Sequence, residues 1–86
     1  MSQLRQLQQE VLAIAVDAAG TAQGLAGFKL KFTQAVGQVS ATVGGSAHGV
    51  DRALISVFLA AEKQLDSAIQ ALEQAASEAH KFSQSL

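Results

Sequence analysis

The sequence contains no cysteine, proline, tryptophan or tyrosine among its 86 residues. The absence of cysteine excludes disulfides and thiolate metal sites, and it leaves the redox compartment unassigned. Alanine and glutamine are abundant, and the helix-breaking residue proline is missing. This combination favours helix over strand. These absences predict an all-α protein.

The chain also lacks an excess of charge of either sign. Six basic and seven acidic residues give a formal net charge of −1, and they are scattered along the chain. A nucleic-acid binder or an anionic-lipid binder usually carries a basic patch, so neither partner is expected. With 49% hydrophobic and 15% charged residues, the chain is predicted to form a single ordered domain over residues 1–86.

Long hydrophobic runs are missing as well. The longest, 11–16 and 57–61, are much shorter than the roughly 20 residues that cross a bilayer. The first ten residues are polar where a Sec signal requires an apolar segment. We therefore expect no stable membrane span, and either a cytoplasmic location or secretion by a route other than Sec.

In the first half of the chain, apolar and small residues alternate at spacings of three and four. This pattern predicts a long helix over about residues 3–42 with a heptad stripe. A second apolar row beside the stripe makes this surface wider than one neighbouring helix covers. The stripe comprises Leu4, Leu7, Val11, Ile14, Ala18, Thr21, Leu25, Phe28, Phe32, Ala35, Val39 and Thr42.

Glycines interrupt this helical pattern without shifting its phase. Gly20, Gly24 and Gly27 lie near one face, and each costs about 1 kcal/mol relative to alanine in an exposed helix. Two shorter helices are the alternative, but the unchanged phase favours one continuous helix. Close packing of another backbone against these three glycines is the predicted compensation.

A glycine-rich break at about residues 43–49 separates the two halves of the chain. It includes Val43, Gly44 and Gly45, and glycine permits the backbone conformations that a reversal needs. From about residue 50 to 84 the three-and-four spacing resumes and predicts a second helix. The sequence thus predicts a two-helix antiparallel hairpin with a turn at the break.

A hairpin of two thin helices covers its own apolar surface poorly. We therefore expect it to pair as a dimer, homomeric or heteromeric, with a second helical hairpin, forming a four-helix bundle. The predicted core and interface residues are Leu25, Phe28, Phe32, Leu54, Phe58, Leu65, Leu72 and Phe82.

No residue pattern indicates catalysis, a cofactor or a metal. Ser46, His48 and Asp51 lie too close along one bend to form the hydrogen bonds of a nucleophile triad. His48 and His80 are the only histidines, and neither belongs to a pattern that presents metal ligands on one helical face. We expect a protein that is not an enzyme and that acts through packing contacts with other protein chains.

At the central break the chain resembles the WXG-type family, the early secretory antigenic target-like substrates of bacterial type VII secretion. Val43–Gly44–Gly45–Ser46 lies roughly 40 residues in, where that family has its W-x-G turn, and Gly45 matches the glycine while Val43 replaces the tryptophan. Residues 61–79 resemble the family's alanine- and glutamine-rich second helix.

The resemblance implies a bacterial, non-enzymatic protein that dimerises and acts with partners such as the secretion machinery. The family's C-terminal export signal, a tyrosine followed four residues later by an acidic residue, is replaced by Phe82 and Leu86. The chain would then depend on a partner for export or remain in the cell. The alternatives are an amphipathic coat on a lipid or granule surface and a generic helical adaptor.

Overall fold

A computed structural model describes residues 2–43 and 49–86, which form two antiparallel helices. Helix α1 spans Ser2–Val43 and helix α2 spans Gly49–Ser85. The antiparallel order is shown by contacts of Gln8 near the start of α1 with Ser83 near the end of α2. The predicted all-α hairpin is thus confirmed.

The helix bounds agree with the sequence pattern to within one or two residues. Val43 and Gly49, assigned to the predicted turn, are the last residue of α1 and the first residue of α2. The remainder of that turn, including Gly44 and Gly45, lies outside the described residues.

Helix α1 is continuous through its glycines, as the unchanged heptad phase predicts. A Cβ added at Gly20, Gly24 or Gly27 would meet nothing within 4 Å. Helix α2 therefore does not make the close approach that the sequence predicts at these glycines, and close packing there stays a prediction about a partner chain.

The seam between the helices follows a heptad pattern that is rotated from the one expected. Helix α2 packs along the boundary between the predicted stripe of α1 and its second apolar row. Only half of the predicted stripe therefore faces α2. The buried or half-buried positions of this seam in α1 are Gln8, Val11, Ala15, Ala18, Ala22, Leu25, Lys29, Phe32, Val36 and Val39. In α2 they are Ile55, Phe58, Glu62, Leu65, Ile69, Leu72, Ala76, Ala79, Ser83 and Leu86.

The core along this seam is small. Ala15, Ala22 and Val36 are the buried hydrophobic residues of the described chain, and none of its large side chains is fully buried. Polar residues such as Lys29 and Glu62 occupy seam positions. Large side chains of both helices instead remain in contact with solvent, Ile14 and Val57 among them.

The hairpin is a rod that measures 68 × 16 × 14 Å, with a radius of gyration of 19.4 Å. A compact domain of this length has a radius of about 12 Å. The rod exposes 6369 Å², whereas a compact monomer of its mass exposes about 4,800 Å². One hairpin therefore leaves roughly 1,500 Å² more surface in water than a compact domain would.

Replacing Leu65 with aspartate is expected to destabilise the hairpin by about 3 kcal/mol, because it places an unpaired charge in the seam. Ser67→Asp adds the same charge at an exposed position of the same helix and is expected to change stability by less than about 0.5 kcal/mol. Denaturant titration followed by circular dichroism measures both. Equal losses in the two variants would contradict the observed seam.

Alanine at Gly20 or Gly37 is expected to stabilise α1 by about 0.5–1 kcal/mol per site, because both glycines lie mid-helix and face open space. The measurement is the midpoint of thermal unfolding at micromolar protein concentration. Destabilisation by Gly20→Ala would instead show that another chain packs closely on this glycine.

Candidate interaction face

One long side of the hairpin consists of ten uncharged residues, and we call it the apolar face. Five residues come from each helix, and each of them immediately precedes a seam residue. They are Leu7, Ile14, Thr21, Phe28 and Ala35 of α1, and Leu54, Ala61, Ala68, Ala75 and Phe82 of α2. All are exposed except Ala61, which is half-buried.

Aromatic contacts place the two rows of this face on the same side of the molecule. Phe28 stacks on Phe32 with ring centroids 6.1 Å apart, and Phe32 meets Phe58 edge to face at 5.9 Å. A shallow groove is lined by Phe28 and Phe32 together with Ala61, Gln64 and Leu65 of α2. The Phe28 ring thus borders the residues of α2, yet it remains 54% exposed.

The opposite long side of the hairpin is interrupted by charge, and we call it the polar face. There the Lys29 ammonium lies 2.5 Å from the Asp66 carboxylate, the one ion pair within the part of the chain that the structure describes. Glu73 and His80 continue the same row of α2. Exposed Leu12 and Leu59 also lie on this side, but charged neighbours separate them.

Polar groups close the seam at the free end of the hairpin. The Gln8 side-chain amide donates a 2.8 Å hydrogen bond to the Ser83 carbonyl oxygen. The Ser83 hydroxyl donates to the His80 carbonyl oxygen, also at 2.8 Å. Ser83 is the one buried polar residue among those described, and both of its polar groups in these contacts are satisfied.

The predicted core residues divide into two groups. Leu25, Phe32, Phe58, Leu65 and Leu72 lie half-buried along the seam. Phe28, Leu54 and Phe82 lie on the apolar face and are 54%, 42% and 50% exposed. For these three an interface with another chain stays a prediction. The sequence does not separate the groups, because both follow the same three-and-four spacing.

Reactive side chains are not clustered in the described parts of the chain, residues 2–43 and 49–86. No group of three potential metal ligands occurs there. The imidazole of His80 pairs with the Gln84 amide at 3.2 Å, and His48 lies outside the described residues. The geometry therefore offers an extended apolar surface rather than a chemical centre, and the absence of catalysis stays a prediction.

Helix α1 also has the length and hydropathy of a membrane-spanning segment. An 18-residue window within Gln3–Ala41 has a mean hydropathy of 1.4 and is 11% buried. The core helix of a soluble protein, which is mostly buried, and a signal sequence near an N-terminus have the same length and hydropathy. The expectation of no membrane span thus stays a prediction.

No known family profile, curated protein or solved structure matches this chain. The resemblance to the WXG-type proteins therefore consists of layout and the Gly45 position, and it enters the proposal below as an expectation.

The Lys29–Asp66 pair is expected to contribute little to stability, because the two side chains are 33% and 49% exposed and water screens such pairs. A double-mutant cycle with Lys29→Met and Asp66→Asn should give a coupling energy below about 1 kcal/mol. The coupling should shrink further at high salt. A coupling well above this value would show that the polar face is covered.

Proposed function

We propose that this protein is a non-enzymatic helical hairpin that pairs through its apolar face with a second hairpin, giving a four-helix bundle. The observation that carries the proposal is the exposure of Phe28, Leu54 and Phe82 on one uncharged side. Burying such side chains stabilises an assembly by about 25 cal/mol for each Å² removed from water. The seam alone offers three buried hydrophobic residues within the described chain.

The biological setting that fits this hairpin best is bacterial type VII secretion, in which the chain acts through protein partners. Support comes from the length of 86 residues, the hairpin with its break between Val43 and Gly49, and the resemblance at Gly45. In this setting the chain leaves the cell by a non-Sec route, on its own or with a paired hairpin, or remains cytoplasmic as a divergent relative.

A coat on a lipid or granule surface is the second candidate, favoured by the apolar window in α1. Surface-binding helices usually combine a broad apolar face with lysine and arginine beside it. Here Glu10 and Asp17 border the apolar face, and Lys31 is the one basic residue in their row. Co-sedimentation with anionic vesicles tests this function, and binding in the micromolar range would favour it over pairing.

A generic helical adaptor that binds its partner through the same apolar face is the third candidate function. It differs from the secretion-linked hairpin in its partner rather than in its fold. A pull-down from the native host separates the two by whether another helical hairpin or a component of secretion machinery is recovered.

Light scattering of the purified chain at micromolar concentration is expected to give the mass of a dimer, or of a defined complex once a cognate hairpin is added. A cooperatively folded monomer that binds no hairpin would rule out the proposal. The measured mass thus tests pairing independently of the route of secretion.

Ala68→Glu is expected to weaken pairing by at least tenfold, because it places a charge at the centre of the apolar face without a partner. Ala60→Glu is the matched control, since Ala60 is an exposed alanine of the same helix that lies off this face. Sedimentation velocity over a concentration series measures both. Equal dissociation constants would show that pairing uses another surface.

A further inference from the structure

We infer that the occupant of the apolar face is a second copy of this chain, packed antiparallel, with a twofold axis that crosses α1 at Gly24 and α2 at Ala68. The inference rests on the proposed function, which assigns pairing to this face. It adds the identity of the partner and the register of the interface.

The two crossing points lie at the same height along the hairpin. Gly24 follows Gln8 by 16 residues, and Ala68 precedes Ser83 by 15. Gln8 and Ser83 are in contact. At 1.5 Å per residue the two crossing points therefore agree in height to within about 2 Å. One axis perpendicular to the rod can pass through both.

Side-chain sizes on α1 are complementary about this axis. A twofold axis midway between Thr21 and Phe28, beside Gly24, places residues that are equally distant from it opposite one another. Phe28 then faces Thr21 of the second copy, and Ile14 faces Ala35. Phe28 and Ile14 thus each meet a smaller side chain, as interdigitated packing requires.

The row on α2 is symmetric about the same axis. Ala68 faces its own counterpart, and Ala61 faces Ala75 of the second copy. Leu54 and Phe82 then meet at the two ends of the interface. The alanines allow the helices to approach closely at the centre, and the exposed large side chains bury one another at the ends.

Charges at the edge of the face are complementary in the same register. Asp17 and Lys31 lie seven residues before and after Gly24, so the axis places each beside its opposite charge in the second copy. Both side chains are exposed and neither takes part in an ion pair within the described chain. Rim charges of this kind select register and partner more than they add affinity.

The other twofold arrangement, with both turns at one end, is disfavoured by charge. It lays α1 over α2 of the second copy and brings Asp17 to the height of residue 74, counted from the Gln8–Ser83 contact. Glu78 lies one helical turn away on the corresponding edge. Like charges at this distance oppose association, so charge favours the antiparallel arrangement.

The area of the face suits a stable dimer. The ten residues of the face extend over 28 residues of each helix, about 42 Å at 1.5 Å per residue. With a width of 16 Å the face projects roughly 700 Å², close to the ~800 Å² that a standard interface takes from each partner. The hairpin exposes roughly 1,500 Å² more than a compact domain of its mass, and such pairing removes about half of that excess from water. The open space at Gly24 also leaves room for a second helix at the crossing point.

Disulfide crosslinking tests the register directly, because the chain has no cysteine. Under mild oxidation Ala68→Cys is expected to form a covalent dimer, since the two new thiols meet across the axis. Ala61→Cys is the control on the same face. Its two copies would lie about 20 Å apart, far beyond the reach of a disulfide, so at least tenfold less dimer is expected.

A mixture of Ala61→Cys and Ala75→Cys chains supplies the complementary measurement. The register places these two positions together, so the mixture should crosslink although neither variant does so alone. Circular dichroism of each cysteine variant verifies that the helices are intact. Crosslinking by Ala61→Cys alone, or an unreactive mixture, would overturn the register.

The outcomes distinguish this inference from the proposed function. A dimer by light scattering in which Ala68→Cys fails to crosslink would overturn the antiparallel register and leave pairing through a hairpin partner intact. A chain that pairs only with a different hairpin would overturn the second copy as occupant. A folded monomer that binds no hairpin would overturn both.

Discussion

The width of the apolar surface on α1 is the constraint on which the rest of this structure depends. Two straight helices in contact cover about one heptad stripe of each other, whereas the apolar surface of α1 consists of its stripe and a second apolar row beside it. Helix α2 covers the middle of that surface, around Ala15 and Ala22. The row that includes Ile14 and Phe28 is consequently left outside the seam.

The consequence is a fold with more exposed than buried large hydrophobic side chains. A rod 68 Å long and 16 Å wide has little interior, because nearly every residue lies within one side-chain length of water. Lys29 and Glu62 at seam positions reduce that interior further. The hairpin therefore lacks the closed core from which most small domains obtain stability. The proposed pairing would bury more of the exposed apolar side chains, and it would thereby couple association to folding.

The two long sides of the hairpin differ in charge, and this difference is the basis for assigning the proposed pairing to one of them. The polar face carries the Lys29–Asp66 ion pair and Glu73, and a hydrophobic partner would have to remove these charges from water. The apolar face carries no charge along either row. Association through the apolar face therefore has a much smaller desolvation cost. In the proposed dimer, Asp17 and Lys31 at the edge of this face would limit which registers fit.

The sequence by itself determined the helices. Heptad spacing from Leu4 onward and again from Leu54, with a glycine-rich break between them, is sufficient for two long helices in a hairpin, because helical periodicity is a local property. The continuity of α1 through Gly20 to Gly27 follows from the unchanged phase of Leu25, Phe28 and Phe32. Only the tertiary structure decided which apolar rows face α2. Phe28 and Phe32 both belong to the predicted stripe, yet Phe28 is exposed and Phe32 lies in the seam, because the rotation of each helix depends on the best joint fit of both surfaces.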